Sequence, residues 1–153
     1  MVEQELAKLG LVLPALPTSV ASYVIYKFAS GMVFISGQLP MLDRQLQYKG
    51  KVGNELTVQQ GADAARLCAQ NILSALNNAI QGDWSRVKSV VRVGGFVNCD
   101  GAFEDHPKVI NGASNLFVAV FGQEIGCHSR TAVGVNSLPL GAAVEVDAIF
   151  ELV

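Results

Sequence analysis

Residues Arg130–Ile149 read RTAVGVNSLPLGAAVEVDAI. Two runs of small and β-branched residues flank Leu138-Pro139-Leu140-Gly141, whose proline and glycine mark a turn. In the second run Val144, Val146, Ala148, Phe150 and Leu152 fall on one face, and Glu145, Asp147 and Glu151 on the other. That period of two is the pattern of a strand with one buried face. Strands are therefore expected at Ser129–Val135 and Ala143–Leu152, paired as a hairpin. Arg130 is the odd residue, a long cation near the start of a strand that otherwise holds small side chains. On a strand it shares a face with Ala132 and Gly134.

Outward from this stretch, the clearest element is a helix over Thr57–Gln81. Thr57 and Gln60 form a capping-box pattern. Ala65, Ala69, Ile72, Leu76 and Ile80 then recur at helical spacing, and Gly82 ends the run. Val87–Asn98 is valine-rich and predicts a strand, with Gly94-Gly95 permitting a bulge or close packing. Asp105–Phe121 returns to helical spacing. Ser22–Phe28 and Met32–Ser36 predict a hairpin around Ala29-Ser30-Gly31. The polar stretch after it allows a brief strand near Tyr48–Lys51. Gln4–Leu9 predicts a short helix, and Pro14–Pro17 an extended segment. The order ββ(β)αβαββ predicts an α+β fold, a mixed sheet with two helices packed on one face, as one domain over residues 1–153.

Half of the 153 residues are apolar and only 16% are charged. That is lean in charge for a small monomer, and some apolar surface is expected to be covered by further copies of the chain. Net charge is −2 and the eleven basic residues are scattered, which argues against a phosphate-backbone binder. No apolar run is long enough to span a bilayer. Glu3 and Glu5 precede the apolar part of the N-terminus, the reverse of a secretory leader. Cys68, Cys99 and Cys127 are odd in number and widely spaced, as expected of reduced thiols in a cytoplasmic protein.

Several chemistries lack their residues. His106 and His128 have no metal-ligand spacing to each other or to a cysteine, so no metal site is expected. There is no nucleophile elbow, Walker loop or dinucleotide fingerprint. Cys127 and His128 are adjacent, and neighbouring strand residues point to opposite faces, so they do not form a nucleophile–base pair. Arg130 has two readings: a solvated strand-end arginine paired with Glu145 or Asp147 across the hairpin, or a fork that grips a ligand carboxylate. Glu145 is either an exposed strand carboxylate or a general base. Ser36-Gly37 is either an ordinary strand end or a place where backbone approaches a ligand.

Taken together, these pieces resemble the RidA/YjgF family of reactive enamine/imine deaminases, also called L-PSP endoribonucleases. The family's first-strand Tyr and its V-F-x-S-G-Q-x-P motif match Tyr23 and VFISGQLP, Val33–Pro40. Its closing R-S-x-V-x-V-x-x-L-P-x-x-x-x-V/I-E-I/V-E-A-I matches Arg130–Ile149 with every spacing kept. The resemblance implies a chorismate-mutase-like fold and a homotrimer with sites in the clefts between subunits. It implies that Arg130 grips the substrate carboxylate and that Glu145 positions water. Tyr23, Ser36, Gly37, Asn111 and Ala132 would line the pocket. Two departures stand out. Ala132 replaces a frequent cysteine, and Ser114 replaces an aromatic three residues after the asparagine.

The implied reaction is hydrolysis of 2-imino acids, such as 2-iminopropanoate (the tautomer of 2-aminoacrylate) and 2-iminobutanoate, to 2-oxo acids and ammonia, with no cofactor. The imine carbon is already electrophilic, so placement and proton transfer suffice. The competing readings are a non-catalytic binder of 2-oxo acids and an endoribonuclease or translation inhibitor, the latter disfavoured by the acidic balance.

Overall fold

The computed structural model describes residues 2–16 and 22–153. In chain order these form α1 (Val2–Lys8), β1 (Tyr26–Ala29), β2 (Met32–Gln38), β3 (Met41–Leu42), β4 (Gln45–Leu46), α2 (Val58–Ala79), β5 (Val87–Asn98), α3 (His106–Gly126), β6 (Ser129–Val135) and β7 (Val144–Leu152). Five strands make one mixed sheet in the order β1-β2-β7-β5-β6, and β3-β4 is a separate two-stranded ladder. Neighbours in the large sheet run antiparallel except β5 and β6, which are parallel.

The expected hairpin of the last two strands does not form. β5 lies between β6 and β7 and pairs with both. The turn after β6 carries the chain across β5 by a short 3-10 segment at Pro139–Gly141, where Leu140 and Gly141 both take positive φ. With the strands separated, an ion pair from Arg130 to Glu145 or Asp147 across a hairpin has no basis. The brief strand expected near Tyr48–Lys51 is also displaced: the ladder lies earlier at β3-β4, and Lys49 makes only an isolated bridge to Ala142.

The α2 cap forms as its spacing predicts. The Gln60 backbone N–H donates to Thr57 Oγ1 at 3.1 Å, and the Thr57 N–H donates to Gln60 Oε1 at 2.9 Å. Its apolar stripe, with Cys68 and Leu73 beside it, is buried against β7 and β2. α3 packs beside α2 and over β5 and β6. Helical backbone breaks at Gly122 (φ 78°, ψ 170°), one residue past the predicted end at Phe121, and a last turn continues to Gly126. Two helices, α2 and α3, cover one face of the sheet as expected, and the short α1 adds its buried Val2 and Leu6 to the side of α3. No helix among the described residues is long and apolar enough to cross a membrane. Residues 11–16 carry no regular structure, and the remainder of the extended segment expected to reach Pro17 lies outside the described residues.

Two glycines set the layer spacing. A Cβ at Gly95 would fall within 2.5 Å of the Ile110 side chain, so the glycine pair in β5 serves close helix–sheet packing. No register shift occurs there; the shifts lie earlier, between Val87 and Arg92. A Cβ at Gly112 would strike the backbone carbonyl of Ala62, where α3 crosses α2.

Among the described residues no helix covers the sheet face away from α2 and α3. Phe34 pairs with Ile149 and Phe96 with both Glu145 and Val133, and Phe34 and Val133 remain about 40% exposed. Helix propensity favours alanine over glycine by about 1 kcal/mol. Gly112→Ala is nevertheless expected to lower the denaturation midpoint, because a backbone clash forces the two helices apart at a cost of about 2 kcal/mol or more. The same change at Gly101, which has no atom near the added Cβ, should leave the midpoint almost unmoved.

Candidate active site

The seven residues expected to form the site fall into two groups. Arg130 lies on the helix-facing side of the edge strand β6, in register with buried Val93. Its Nη1 donates to Asn111 Oδ1 at 2.8 Å and to Ser114 Oγ at 3.1 Å, and its Nη2 donates to the Pro107 carbonyl at 3.4 Å. All three acceptors are neutral and all come from α3. Among the described residues Arg130 forms no ion pair. Ala132 follows on the same face, opposite Gly95, so small residues floor the strand beside the guanidinium.

Glu145 sits on the opposite face of the sheet, two strands in from the edge. It lies over Gly37, where an added Cβ would collide with its carboxylate. The β2–β7 register shifts between Ile35 and Gln38, so Ser36-Gly37 forms an irregular strand end there. The Ser36 N–H donates to the Ile25 carbonyl at 2.8 Å and its hydroxyl donates to the Val24 carbonyl at 2.7 Å. These bonds hold the segment carrying Tyr23 alongside Ser36. Tyr23 itself precedes β1 rather than lying on the first strand. One chain thus joins Arg130 with Asn111 and Ala132, and Glu145 with Ser36, Gly37 and the Tyr23 segment. It does not join the two groups.

The electrostatics of the second group come from burial. Desolvation pushes the Glu145 carboxyl above the ordinary glutamate range, and the neighbouring Asp147 charge adds to the shift. Burial raises Asp147 as well, opposed by Arg92, whose Nη1 lies 3.8 Å from its carboxylate. A raised carboxyl is the form of glutamate that can exchange a proton nearer to neutral pH.

Two features were not foreseen from the sequence. His128 bonds Ser114 Oγ at 2.9 Å, which links it to Arg130. The signal was present: Asn111 and Ser114 share a helix face, and His128 lies two residues from Arg130. The second feature is a contact of Cys99 Sγ with His106 Nε2 at 3.5 Å, beside a cavity of about 310 Å³. Burial holds the Cys99 thiol above its usual value, so it is not a poised thiolate. Cys127 Sγ accepts from Gln123 Nε2, while the His128 ring nitrogens bond Ser114 Oγ and the Gly126 carbonyl.

The profile of the family described as "YjgF/chorismate_mutase-like, putative endoribonuclease" matches residues 3–152. The chain belongs to this family. Protein TCP17 of Trypanosoma cruzi is 46% identical over 151 residues, covering 99% of this chain and 94% of that protein. Among solved structures, Atu1372 of Agrobacterium tumefaciens superposes with a TM-score of 0.93 at 41% identity, covering 99% of this chain and 92% of the other. A Shewanella oneidensis protein with the same endoribonuclease designation gives a TM-score of 0.94 at 34% identity, over 99% of each chain. The mixed sheet under α2 and α3 is accordingly the fold of the YjgF family.

The raised carboxyl has a consequence for stability. A folded-state value above the unfolded one means that folding favours the protonated acid, so stability falls as pH rises through the folded value. Glu145→Gln is therefore expected to raise the thermal midpoint at pH 7. The gain over wild type should shrink as the pH falls through the raised value, and melting curves across pH measure it. Gly37→Ala is expected to keep the fold, because the atoms in its way are the flexible end of Glu145. It should move that carboxyl out of its buried position and return its titration toward the ordinary range, read by side-chain carboxyl NMR.

Proposed function

We propose that this protein is a deaminase that hydrolyses reactive 2-imino acids to 2-oxo acids and ammonia. The observation that carries this reading is the state of Arg130, a guanidinium hydrogen-bonded to three neutral oxygens with no carboxylate partner among the described residues. Such a cation keeps its full charge for an anionic ligand, and its planar fork suits a carboxylate. Glu145 supports the second requirement, a general base: burial, with the Asp147 charge added, raises its carboxyl above the ordinary glutamate range.

In the proposed reaction Arg130 holds the substrate carboxylate, with Asn111 and Ala132 beside it. Glu145 accepts a proton from a water as its oxygen adds to carbon two of the iminium. It then returns that proton to the nitrogen of the carbinolamine; as the C–N bond breaks, Glu145 takes the hydroxyl proton, leaving the 2-oxo acid, and the departing ammonia carries that proton away as ammonium. Ser36, Gly37 and Tyr23 would border the Glu145 side.

Because Arg130 and Glu145 occupy opposite faces of one sheet, the active site in this reading is composite. Arg130 of one copy meets Glu145 of a neighbouring copy, and the uncovered apolar face of Phe34, Phe96, Val133 and Ile149 is the surface available for that association. The homotrimer expected from the family resemblance provides such an arrangement. An endoribonuclease reading draws less support. The net charge is −2, and Lys8, Lys51, Lys88, Arg92 and Lys108 are each paired with a carboxylate, which weakens the case for a phosphate-backbone binder.

Three measurements follow, all made on freshly generated 2-iminobutanoate. Arg130→Ala should lower kcat/KM by about a hundredfold, the loss of a bidentate charge-assisted pair. Wild-type activity in that variant would sink the assignment. Wild-type kcat should fall on the acid side with a midpoint above the ordinary glutamate range, and Glu145→Gln should abolish that limb together with turnover. Mixed refolding of the two inactive variants tests the composite site. If Arg130 and Glu145 come from different copies, about a quarter of sites regain both residues and activity returns. If both come from one chain, none does.

A further inference from the structure

Arg130 has five N–H donors, as every arginine does. Two on Nη1 are taken by Asn111 and Ser114 and one on Nη2 by the Pro107 carbonyl. Among the described residues that leaves Nε–H and one Nη2–H, the number a bidentate carboxylate requires. Which donors remain depends on Ser114, because a serine hydroxyl can either accept or donate. If its hydrogen faced Arg130 the bond would be lost.

His128 removes that freedom. Its Nδ1 lies 2.7 Å from the Gly126 carbonyl, which only accepts, so Nδ1 carries the hydrogen. In the neutral ring Nε2 then offers a lone pair, and burial lowers the histidine's affinity for a second proton. The Ser114 hydroxyl must therefore donate to Nε2 across the 2.9 Å contact and present its lone pairs to Arg130. The bonds run in one direction: Arg130 donates to Ser114, Ser114 to His128, and His128 to Gly126. The imidazole is held edge-on by the Phe117 ring at 6.0 Å. Gly126 is buried against the Phe117 and Val118 backbone, where an added Cβ would clash at 2.6 Å.

We propose that Ser114 and His128 are a positioning pair that fixes the orientation of the Arg130 guanidinium and so sets which of its donors meet the substrate carboxylate. The inference rests on the reading of Arg130 as the carboxylate anchor. It also gives a role to Ser114, one of the places where the sequence departs from the family pattern. Neither residue is placed in contact with substrate.

The test uses the intact protein, with steady-state kinetics on 2-iminobutanoate and calorimetric binding of 2-oxobutanoate. Ser114→Ala and His128→Phe are each expected to raise KM and weaken 2-oxobutanoate binding about tenfold, the loss of one hydrogen bond that orders a charged group, with little change in kcat. His128→Gln supplies an amide oxygen that accepts from Ser114, and it should recover most of the lost affinity. The imidazole nitrogen resonances of wild type should report the Nδ1–H tautomer. If His128→Phe does not fold, Ser114→Ala alone decides, since alanine suits a helix. An unchanged KM and affinity in Ser114→Ala, with both lost in Arg130→Ala, would overturn the positioning pair and leave the anchor standing. Unchanged affinity in Arg130→Ala would remove the anchor and the pair together. A fall in kcat and stability with no change in KM and no rescue by glutamine would mark a purely structural role.

Discussion

The structure depends on one strand lying at the centre of its sheet. β7 is hydrogen-bonded on both sides, to β2 and to β5, and its alternation divides the molecule. Val144, Val146, Ala148 and Phe150 face α2 and α3 and are fully or almost fully buried. Glu145, Asp147 and Glu151 face the other way. A strand in that position has no freedom of register, because a slip of one residue would bring the carboxylates into the core. The same constraint fixes Glu145 over the irregular end of β2, where only a glycine leaves room for it.

Much of this arrangement was legible in the sequence because it rests on local periodicity. The capping box at Thr57, the stripe from Ala65 to Ile80 and the alternation from Val144 to Leu152 each specify an element without reference to the rest of the chain. Both ends of β5 and of β6 fall at their predicted residues. Pairing was not legible to the same degree. A turn of Pro and Gly between two strands reads as a hairpin, and nothing local reveals that β5, thirty residues upstream, enters between them. The sequence likewise placed Arg130, Ala132 and Gly134 on one face, but the identity of the element above that face is a tertiary fact.

The candidate site shows the same division. Arg130 and Glu145 stood out as residues, and Ser36-Gly37 as a backbone feature. That Glu145 lies over Gly37 required the bulge between Ile35 and Gln38, which leaves no mark in composition. The connection from His128 through Ser114 to Arg130 joins a helix to a strand across fourteen to sixteen residues, and each member is unremarkable alone. Asn111 and Ser114 at helical spacing, and His128 and Arg130 at strand spacing, are compatible periods that meet only once α3 lies along β6.

Among the described residues β6 has a neighbouring strand on one side only, which leaves its outer backbone N–H and C=O groups as a sheet edge. Edge strands are commonly protected from such pairing by a charge turned inward toward the protein, which a stray strand would have to bury. Arg130 stands in that place. Ala132 and Gly134 offer no such barrier, so Arg130 is the residue of this face with the charge that such protection uses. On the proposed reading one side chain would then serve two ends, and a neutral residue there would give up both at once.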